Sequence, residues 1–296
     1  MTTPGAVIIA TRHRPEALVR CLRAVIAGSS RPQAVVVVDQ GSRRVETEAR
    51  AALDGTNIEL RYVAVPEGGV SRARNAGLAA AAEFDVIAFT DDDCVPAQDW
   101  LSQLGDALVP AAAAATGRVL PLPSPQRGLV ARSSRTRTTA RLHGPESLPW
   151  EAGTGGNLCL RRRAIESVGG FDERFGPGAP FKAAEDLDLL HRLLRGGHTV
   201  AYAPEAVVYH EMQTLSARFA SRFPYGFGMG ALVATRIGES GESTRLAKAY
   251  AGLQASTVAR GVTARSARLA LEPLVGLAGF AAGFAACLAR DHAPHR

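Results

Sequence analysis

The most constraining feature of this sequence is a series of short, apolar, β-branched runs that alternate with helical patterns. Four such runs predict strands at residues 6–11, 34–38, 60–65 and 86–90. A helical repeat follows the first run, and a serine suited to an N-cap opens a predicted helix at 71–82. Because the runs are apolar on both faces, they predict an α/β fold with a mostly parallel central sheet between helices.

Polar residues follow each of these predicted strands. In open α/β sheets, ligands bind at the carboxyl ends of the strands. Any one of these residues alone is typical of an ordinary loop, but together they predict one shared crevice. They are Thr11, Arg12, Asp39, Glu67 and the run Asp91, Asp92 and Asp93.

The three successive aspartates at the end of the fourth strand need a positive partner. Like charges this close repel, and one carboxyl group would be driven to protonate. A divalent cation with hard oxygen ligands, Mg²⁺ or Mn²⁺, removes the conflict, and such an ion completes its shell with substrate phosphates. The alternative is an Asp-rich turn that caps the next helix.

A second pair of carboxylates, Glu185 and Asp186, opens a predicted helix. Asp186 stands three, four and seven residues before Leu189, Leu190 and Leu193, so the helical phase predicts that Asp186 faces the core and Glu185 does not. An ionised aspartate at a helix N-terminus suits a general base, although a simple helix cap fits the same position.

The chain between these clusters is basic and irregular in pattern. Residues 107–145 contain no acidic side chain, and five arginines at 127–141 favour a mobile loop. After Trp150 a Gly-rich turn precedes a predicted strand at 157–161, and further predicted strands at 199–203 and 206–209 lead to His210. The remaining chain has a helical pattern.

The C-terminal part carries the whole net charge of +6, since the first 215 residues contain equal numbers of acidic and basic side chains. Nucleic acid is therefore not the expected partner, because a nucleic-acid binder concentrates basic charge on its folded recognition module. Residues 273–289 lack charge, would form a helix about 26 Å long, and contain a GxxxG spacing at Gly279 and Gly283. Three interpretations of residues 273–289 remain open: an interfacial membrane helix, a homodimer or domain contact, and a helix that spans the membrane fully.

The cysteines and the N-terminus favour a cytoplasmic protein, and the basic, partly apolar C-terminal part adds the expectation of a peripheral contact with the cytoplasmic face of the membrane. The four cysteines are scattered without a CxxC pair, which excludes a zinc ribbon or disulfide framework and is typical of a reducing compartment. The first residues do not have the pattern of a signal sequence.

Six segments of this chain resemble, in order, the motifs of the family 2 inverting nucleotide-sugar glycosyltransferases, which have the GT-A fold. They cover residues 5–212 and read AVIIATRHRPEALVRCLRAV, VVVVDQGS, VPEGGVSRARNAGLAAA, VIAFTDDDCVP, GTGGNLCLRRRAIESVGGFDERF and GPGAPFKAAEDLDLLHRLLRGGHTVAYAPEAVVYH. The resemblance implies a GT-A domain at 1–215 and a helical, basic, partly apolar extension at 216–296.

The resemblance implies a nucleotide site along the strand ends. Thr11 and Arg12 would line the nucleotide crevice, and Asp39 would bond the nucleobase, although DQGS stands here where DNGS or DDGS is commoner in the family. Arg74 and Asn75 match the segment beside the base and ribose.

The same resemblance assigns the acidic run to the DxD motif. Asp91 would face the ribose and the metal, and Asp93 would hold the Mn²⁺ or Mg²⁺ ion that bridges the diphosphate. Asp92 can exchange roles with either, and His210 matches a further metal or diphosphate ligand.

The last two of the six matching segments imply the residues on the acceptor side of the site. Gly155, Gly156 and Asn157 match the loop beneath the sugar and acceptor, and Asp186 of the ED pair matches the catalytic base. A single base and a metal that stabilises the leaving diphosphate imply one displacement, with inversion.

The implied reaction moves one sugar from a nucleoside-diphosphate sugar, UDP- or dTDP-linked, to a hydroxyl of a saccharide, lipid-linked or small-molecule acceptor. The QxxRW signature of processive family members is absent from the sequence, which favours single transfer. A nucleotidyltransferase would need a Gly-rich loop where ATRHRPEAL stands, and a non-catalytic nucleotide-sugar binder would have lost its carboxylates.

Overall fold

The computed structural model describes residues 3–66 and 68–291 and divides into two compact units. The first unit contains the chain up to Asp172 together with Asp186–Gln213. The second contains Glu173–Glu185 and the chain from Thr214 onward, so an internal segment groups with the C-terminal helices. Glu67, one of the predicted strand-end residues, lies outside the described residues.

The described residues form eleven strands and ten helices. The strands are β1 (Ala6–Thr11), β2 (Ala34–Asp39), β3 (Glu59–Ala64), β4 (Val86–Asp91), β5 (Cys94–Pro96), β6 (Ala112–Pro121), β7 (Leu129–Ala131), β8 (Arg141–His143), β9 (Asn157–Arg161), β10 (Thr199–His210) and β11 (Met212–Thr214). The helices are α1 (Pro15–Ile26), α2 (Glu46–Leu53), α3 (Val70–Ala80), α4 (Trp100–Ala107), α5 (Pro149–Ala152), α6 (Arg162–Ser167), α7 (Glu185–Arg195), α8 (Leu215–Ala234), α9 (Glu242–Thr263) and α10 (Ala267–Asp291).

Nine strands form one mixed sheet in the order β3-β2-β1-β4-β9-β6-β10-β5, with β8 paired to β10. The four strands predicted from the apolar runs are parallel to one another. Strand β9 is antiparallel to both of its neighbours, β4 and β6. The predicted α/β fold with a largely parallel sheet and a helical C-terminal region is confirmed.

Both faces of the sheet are buried, as the apolar runs predicted. In β1, Val7 and Ile9 pack into one core cluster, whereas Ala6 and Ile8 pack into another. Helices α1 and α4 contribute to the first cluster, and α3, α6 and α7 to the second. The alternation of strand side chains thus fills two cores, one on each face.

Two predictions about the second half of the sequence were wrong. Residues 199–203 and 206–209 belong to one strand, β10, whose register against β6 shifts between Ala203 and Val207. The strand is accommodated there by Gly117, where a Cβ would lie 2.0 Å from the carbonyl oxygen of Ala206. The basic segment at 127–141 is not a structureless loop, because it contains β7, and Arg135 exchanges two backbone hydrogen bonds with Val119.

The second unit is built mainly from α8, α9 and α10. Helix α10 is long and apolar enough over Ala267–Arg290 to cross a membrane, with a mean hydropathy of 1.7 in its most apolar stretch, and a third of that stretch is buried. Helices α8 and α10 pack together along glycines. A Cβ at Gly283 would lie 1.9 Å from the carbonyl oxygen of Phe227.

Candidate functional site

The strand registers bring the predicted strand-end residues to one edge of the sheet. Thr11 is paired with Asp39 on β2, and Ala10 with Asp91 on β4. His210 is paired with Cys94, which follows the aspartate run directly. Residues far apart in sequence therefore meet because parallel neighbours end together, as the pattern predicted.

The three aspartates have three different environments. Asp91 is a third exposed and accepts a hydrogen bond of 2.9 Å from the buried guanidinium of Arg74. Asp92 is buried and accepts from the Thr11 hydroxyl at 2.8 Å. Burial, followed by the charge of Asp93, raises the pKa of Asp92 to about 6.

Asp93 is buried among cationic groups. Arg14 donates to Asp93 at 2.8 Å and to Asp92 at 3.3 Å, and the charges of both aspartates raise the pKa of Arg14 against the opposing effect of burial. Arg132 lies 4.0 Å from the Asp93 carboxylate. Arg14 thus bridges the two buried carboxylates, and Arg132 adds positive charge near Asp93.

Four side chains, Asp91, Asp93, Cys94 and His210, can place one ligand atom each within 4.8 Å of the others. Asp92 is outside this group. Burial raises the pKa of the Cys94 thiol well above its usual range, with the charges of Asp91 and Asp93 adding to the effect. Hard cations such as Mn²⁺ and Mg²⁺ prefer oxygen ligands to thiols, so Asp91, Asp93 and His210 are the candidate donors for such an ion.

The orientation of the His210 ring also fits a cation. Nδ1 lies 3.1 Å from the Glu211 carbonyl oxygen, which only accepts, so Nδ1 carries the hydrogen. In the neutral ring, Nε2 then directs its lone pair at Asp93 Oδ1, 3.5 Å away. Either a proton on Nε2 or a metal ion bound by both side chains makes this arrangement favourable.

Asp186 lies at the start of α7, where its carboxylate accepts two backbone hydrogen bonds. Gly155 donates to Oδ2 and Leu187 to Oδ1, both at 2.8 Å. The basic segment approaches here as well, because the charge of Asp186 acts on the guanidinium of Arg135 against the lowering of its pKa by burial. A carboxylate held by two backbone amides is fixed in position.

The glycines between Asp186 and the acidic run are required by space. A Cβ at Gly156 would lie 2.6 Å from Asp91 Oδ2, and one at Gly155 would lie 2.9 Å from the Arg74 guanidinium and 3.1 Å from the Asp186 Cβ. The turn therefore connects the candidate base to the candidate metal ligands within two residues. Predicted site residues Arg74, Asp91, Gly155, Gly156 and Asp186 form one cluster.

Three predicted site residues are engaged in the scaffold. Asn157 is fully buried, with Oδ1 accepting from Trp100 and Nδ2 donating to the carbonyls of Arg118 and Ala206, all at 2.8 Å. The Asn75 amide makes two bonds of 2.9 Å to the backbone of Phe171. These bonds fix the glycine turn and the loop at Phe171.

Asp39, the third, is completely buried. It accepts from the backbone of Gly41 at 2.7 Å, from the backbone of Val45 at 3.1 Å and from the Tyr62 hydroxyl. Burial and the Asp39 carboxylate raise the pKa of Tyr62 to about 12. Asp39 thus organises the loop after β2, and its contact with a nucleobase stays a prediction.

The helical phase of α7 does not separate its first two carboxylates, because Glu185 and Asp186 are both half-buried. The first turn of a helix extends beyond the core that buries Leu189, Leu190 and Leu193. The fully buried acid of α7 is Asp188, which the sequence did not single out and which pairs with Arg192 at 2.6 Å.

Sequence reasoning also missed the arginines of the site. It selected Arg12, whereas Arg14 is the arginine whose guanidinium reaches the aspartates. In an extended chain, the alternation in TRHR would direct Arg12 and Arg14 to the same side. His13 has a positive φ of 57° and interrupts that alternation, so the sequence alone did not distinguish the two arginines. Arg132 and Arg135 were counted as loop residues.

Comparison with known proteins identifies the family of this chain. A profile described as "Glycosyltransferase like family 2" matches residues 4–223. The pre-mycofactocin glycosyltransferase of Mycobacterium tuberculosis (strain CDC 1551 / Oshkosh) is 32% identical over 238 residues, which cover 78% of this chain and 47% of that protein. This chain thus spans about half the length of that relative. The succinoglycan biosynthesis protein ExoM of Rhizobium meliloti is 30% identical, covering 77% of this chain and 74% of ExoM.

Solved structures share the fold at low identity. The mannosyltransferase PcManGT of Pyrobaculum calidifontis, in complex with GDP-Man and Mn²⁺, superposes with a TM-score of 0.65 at 18% identity and covers 95% of this chain and 87% of its own. TarS 1-349 of S. aureus, in complex with UDP-GlcNAc, gives a TM-score of 0.57 at 15% identity over 77% of this chain and 65% of its own.

Proposed function

Since the chain belongs to the family 2 glycosyltransferases, we propose that it transfers a single sugar from a nucleoside-diphosphate sugar to an acceptor hydroxyl, with inversion and with a divalent cation. The observation that carries this proposal is the glycine turn between two chemical groups. On one side Gly156 touches Asp91 of the candidate metal site, and on the other Gly155 donates to Asp186. The proposed site of the leaving diphosphate, at Asp91, and the proposed base, Asp186, are therefore adjacent.

The donor is proposed to bind along the carboxyl edge of β1, β2 and β4. The solved relatives hold GDP-Man in one case and UDP-GlcNAc in another, so a diphosphate is the part that both donors share. The UDP or dTDP predicted from the sequence remains the proposed nucleotide. Its base and ribose would lie towards Thr11, Arg12, Asp39, Arg74 and Asn75.

The cation is proposed to be held by Asp91, Asp93 and His210. When bound, it would neutralise the negative charge that builds on the diphosphate as the glycosidic bond breaks. Arg14 and Arg132 lie at the same carboxylates and supply further positive charge, held in position before the donor arrives. Asp92 is proposed to position Arg14 and Thr11 rather than to bind metal.

Asp186 is proposed to take the proton from the acceptor hydroxyl. Its two backbone bonds hold the carboxylate in one orientation but leave lone pairs for the acceptor, because a carboxylate has about four acceptor sites. The acceptor oxygen then attacks the anomeric carbon as the bond to the diphosphate breaks. One displacement with one base gives inversion.

Neither alternative predicted from the sequence is favoured by an observation. A nucleotidyltransferase would hold a triphosphate in a Gly-rich loop after the first strand, and β1 is followed by Arg12, His13 and Arg14 instead. A non-catalytic binder would not retain both Asp93 and Asp186 in this arrangement.

The test is a binding screen followed by product analysis. We expect one nucleoside diphosphate among UDP, dTDP and GDP to raise the melting temperature of the protein more with Mn²⁺ than with EDTA. The corresponding sugar donor, supplied with saccharide and lipid acceptors, should yield a product whose anomeric configuration, read by NMR, is opposite to that of the donor. Stabilisation by none of the three nucleotides, or a retained configuration, contradicts the proposal.

A further inference from the structure

The glycines of the C-terminal helices are used inside this chain. A Cβ at Gly279 would lie 2.2 Å from the Phe223 carbonyl oxygen, and one at Gly230 would lie 1.9 Å from that of Phe280. Helices α8 and α10 are therefore parallel and almost in backbone contact. The GxxxG spacing of α10, for which the sequence left a membrane helix, a homodimer and a domain contact open, packs against α8.

One end of this helical unit is apolar and exposed. We call residues 215–225 and 259–274 the arginine-rich end. It contains eight of the twelve large hydrophobic side chains that are exposed among the described residues, each 37% to 65% exposed. They are Leu215, Phe219, Phe223, Tyr225, Val262, Leu269, Leu271 and Leu274. Exposed apolar side chains concentrated in one place in this way indicate an interaction surface, whereas single exposed apolar residues are common on any protein.

The exposed side chains form continuous stripes. Leu215, Phe219 and Phe223 are spaced by four residues along α8, and Leu271 and Leu274 by three along α10, so each set lies on one side of its helix. The two helices are joined here, because Arg218 of α8 contacts Glu272 of α10 at 3.0 Å. The stripes therefore belong to the same end of the unit.

The charge of this end is strongly positive. It contains five arginines and a single acidic residue, Glu272. Glu272 is 5% exposed and accepts from Arg268 at 2.7 Å as well as from Arg218, while Arg222 lies 3.8 Å away. Arg260 and Arg265 stand at the end of α9 and in the turn before α10, where both are exposed. No exposed carboxylate is present at this end to attract a basic partner.

We propose that the arginine-rich end docks on an anionic phospholipid surface. Arginines meet the headgroup phosphates there, and Phe219, Phe223 and the neighbouring leucines enter the boundary with the acyl chains. Tyr225, with the Arg222 guanidinium 5.5 Å from its ring centre, has the amphipathic character of interfacial aromatic residues. The helices lie on the membrane in this proposal and do not span it.

A second copy of the chain fits this end less well. A two-fold dimer through the same surface would set five arginines against five arginines, with the one glutamate of each copy already buried. Anionic lipid supplies the missing negative charge.

The proposal is tested with the full chain and sedimenting vesicles. We expect binding to phosphatidylcholine vesicles that contain phosphatidylglycerol, much weaker binding to phosphatidylcholine alone, and release as salt rises. Two double variants should each lower the vesicle partition coefficient at least about tenfold: Phe219→Ser with Phe223→Ser, and separately Arg260→Glu with Arg265→Glu. For the arginine variant, the reason is that each arginine near the surface contributes roughly fivefold to the partition coefficient.

Two matched controls are available. Ile237→Ser with Leu253→Ser removes apolar side chains of the same unit that are 54% and 44% exposed, and Arg23→Glu with Arg31→Glu reverses exposed charges of the first unit. Both should change the partition coefficient less than about twofold. Circular dichroism and thermal melting verify folding, and the arginine variant decides the matter if the phenylalanine variant does not fold.

Three results would overturn the proposal. They are equal binding to both kinds of vesicle, controls that lose as much binding as the test variants, and a dimer in sedimentation equilibrium that dissociates in the Phe219→Ser, Phe223→Ser variant.

Discussion

At the scale of single residues, the site depends on how three consecutive aspartates divide their directions. Asp91 ends β4, and Asp92 and Asp93 form the turn before β5, so Asp91 and Asp93 reach the same cluster while Asp92 accepts from Thr11. Three identical letters thus take different roles through backbone geometry, and a motif read from sequence alone leaves the choice among them open.

This division predicts unequal effects of removing each charge. Asp93→Asn should abolish the gain in nucleoside-diphosphate affinity on adding Mn²⁺ and lower transfer at least about 100-fold, because the ion loses a carboxylate ligand. Asp92→Asn should keep the Mn²⁺ dependence, since Asp92 lies outside the four-ligand group. Calorimetric titration with and without Mn²⁺ measures both. Full activity of the wild type in EDTA would refute the metal assignment.

A second residue-scale prediction separates binding from chemistry. Asp186→Asn keeps the shape that accepts from Gly155 but loses basicity, so nucleoside diphosphate should bind about as well as to the wild type. Transfer should fall by about 10² to 10⁴, the usual contribution of a general base. Glu185→Gln is the control and should cost less. The assignment is wrong if initial rates show Glu185→Gln to be the more damaging change.

At the scale of elements, prediction succeeded where signals were local. Strands β1, β2 and β4 are continuous apolar runs, whereas β3 at the sheet edge is partly polar, and α7 was predicted at its observed bounds, Glu185–Arg195. The basic segment failed because its three-residue strands, β7 and β8, have too few residues to show a period, and their pairing partners lie far along the chain. Arg132 and Arg135, which lie near Asp93 and Asp186 of the candidate site, belong to this segment, so its misassignment also concealed part of that site.

The pairing of α8 and α10 predicts how the second unit responds to small substitutions. Gly283→Ala would place a Cβ 1.9 Å from the Phe227 carbonyl oxygen, so the helices must separate, at a cost of about 1–3 kcal/mol in the free energy of unfolding. The control is Gly252→Ala in α9, where nothing lies within 4 Å. That change should be neutral or add up to about 1 kcal/mol, because alanine favours the helix. Urea unfolding followed by circular dichroism compares the two, and equal effects would exclude a tight glycine interface.

At the scale of the whole molecule, the net charge is distributed unevenly along the chain. The first 215 residues are neutral overall, and the positive charge belongs to the C-terminal helices. The sequence predicted the charge asymmetry, and for residues 273–289 it left a membrane helix, a homodimer and a domain contact open. Gly279 and Gly283 lie against the backbone carbonyls of Phe223 and Phe227 in α8, a pairing between distant helices that no local pattern contains.

The two units predict two separable responses to heat, since each has its own packed interior. Nucleoside diphosphate with Mn²⁺ binds, in our proposal, to residues of the first unit, so it should stabilise the transition of that unit by about 2.7 kcal/mol at a hundred times its dissociation constant. Gly283→Ala should lower only the other transition. Differential scanning calorimetry of the full chain, with each perturbation alone and then both together, measures the shifts. Additive shifts in two different transitions support independent units, because coupled sites deviate from additivity. A single transition that both perturbations move would mean that the chain unfolds as one cooperative body.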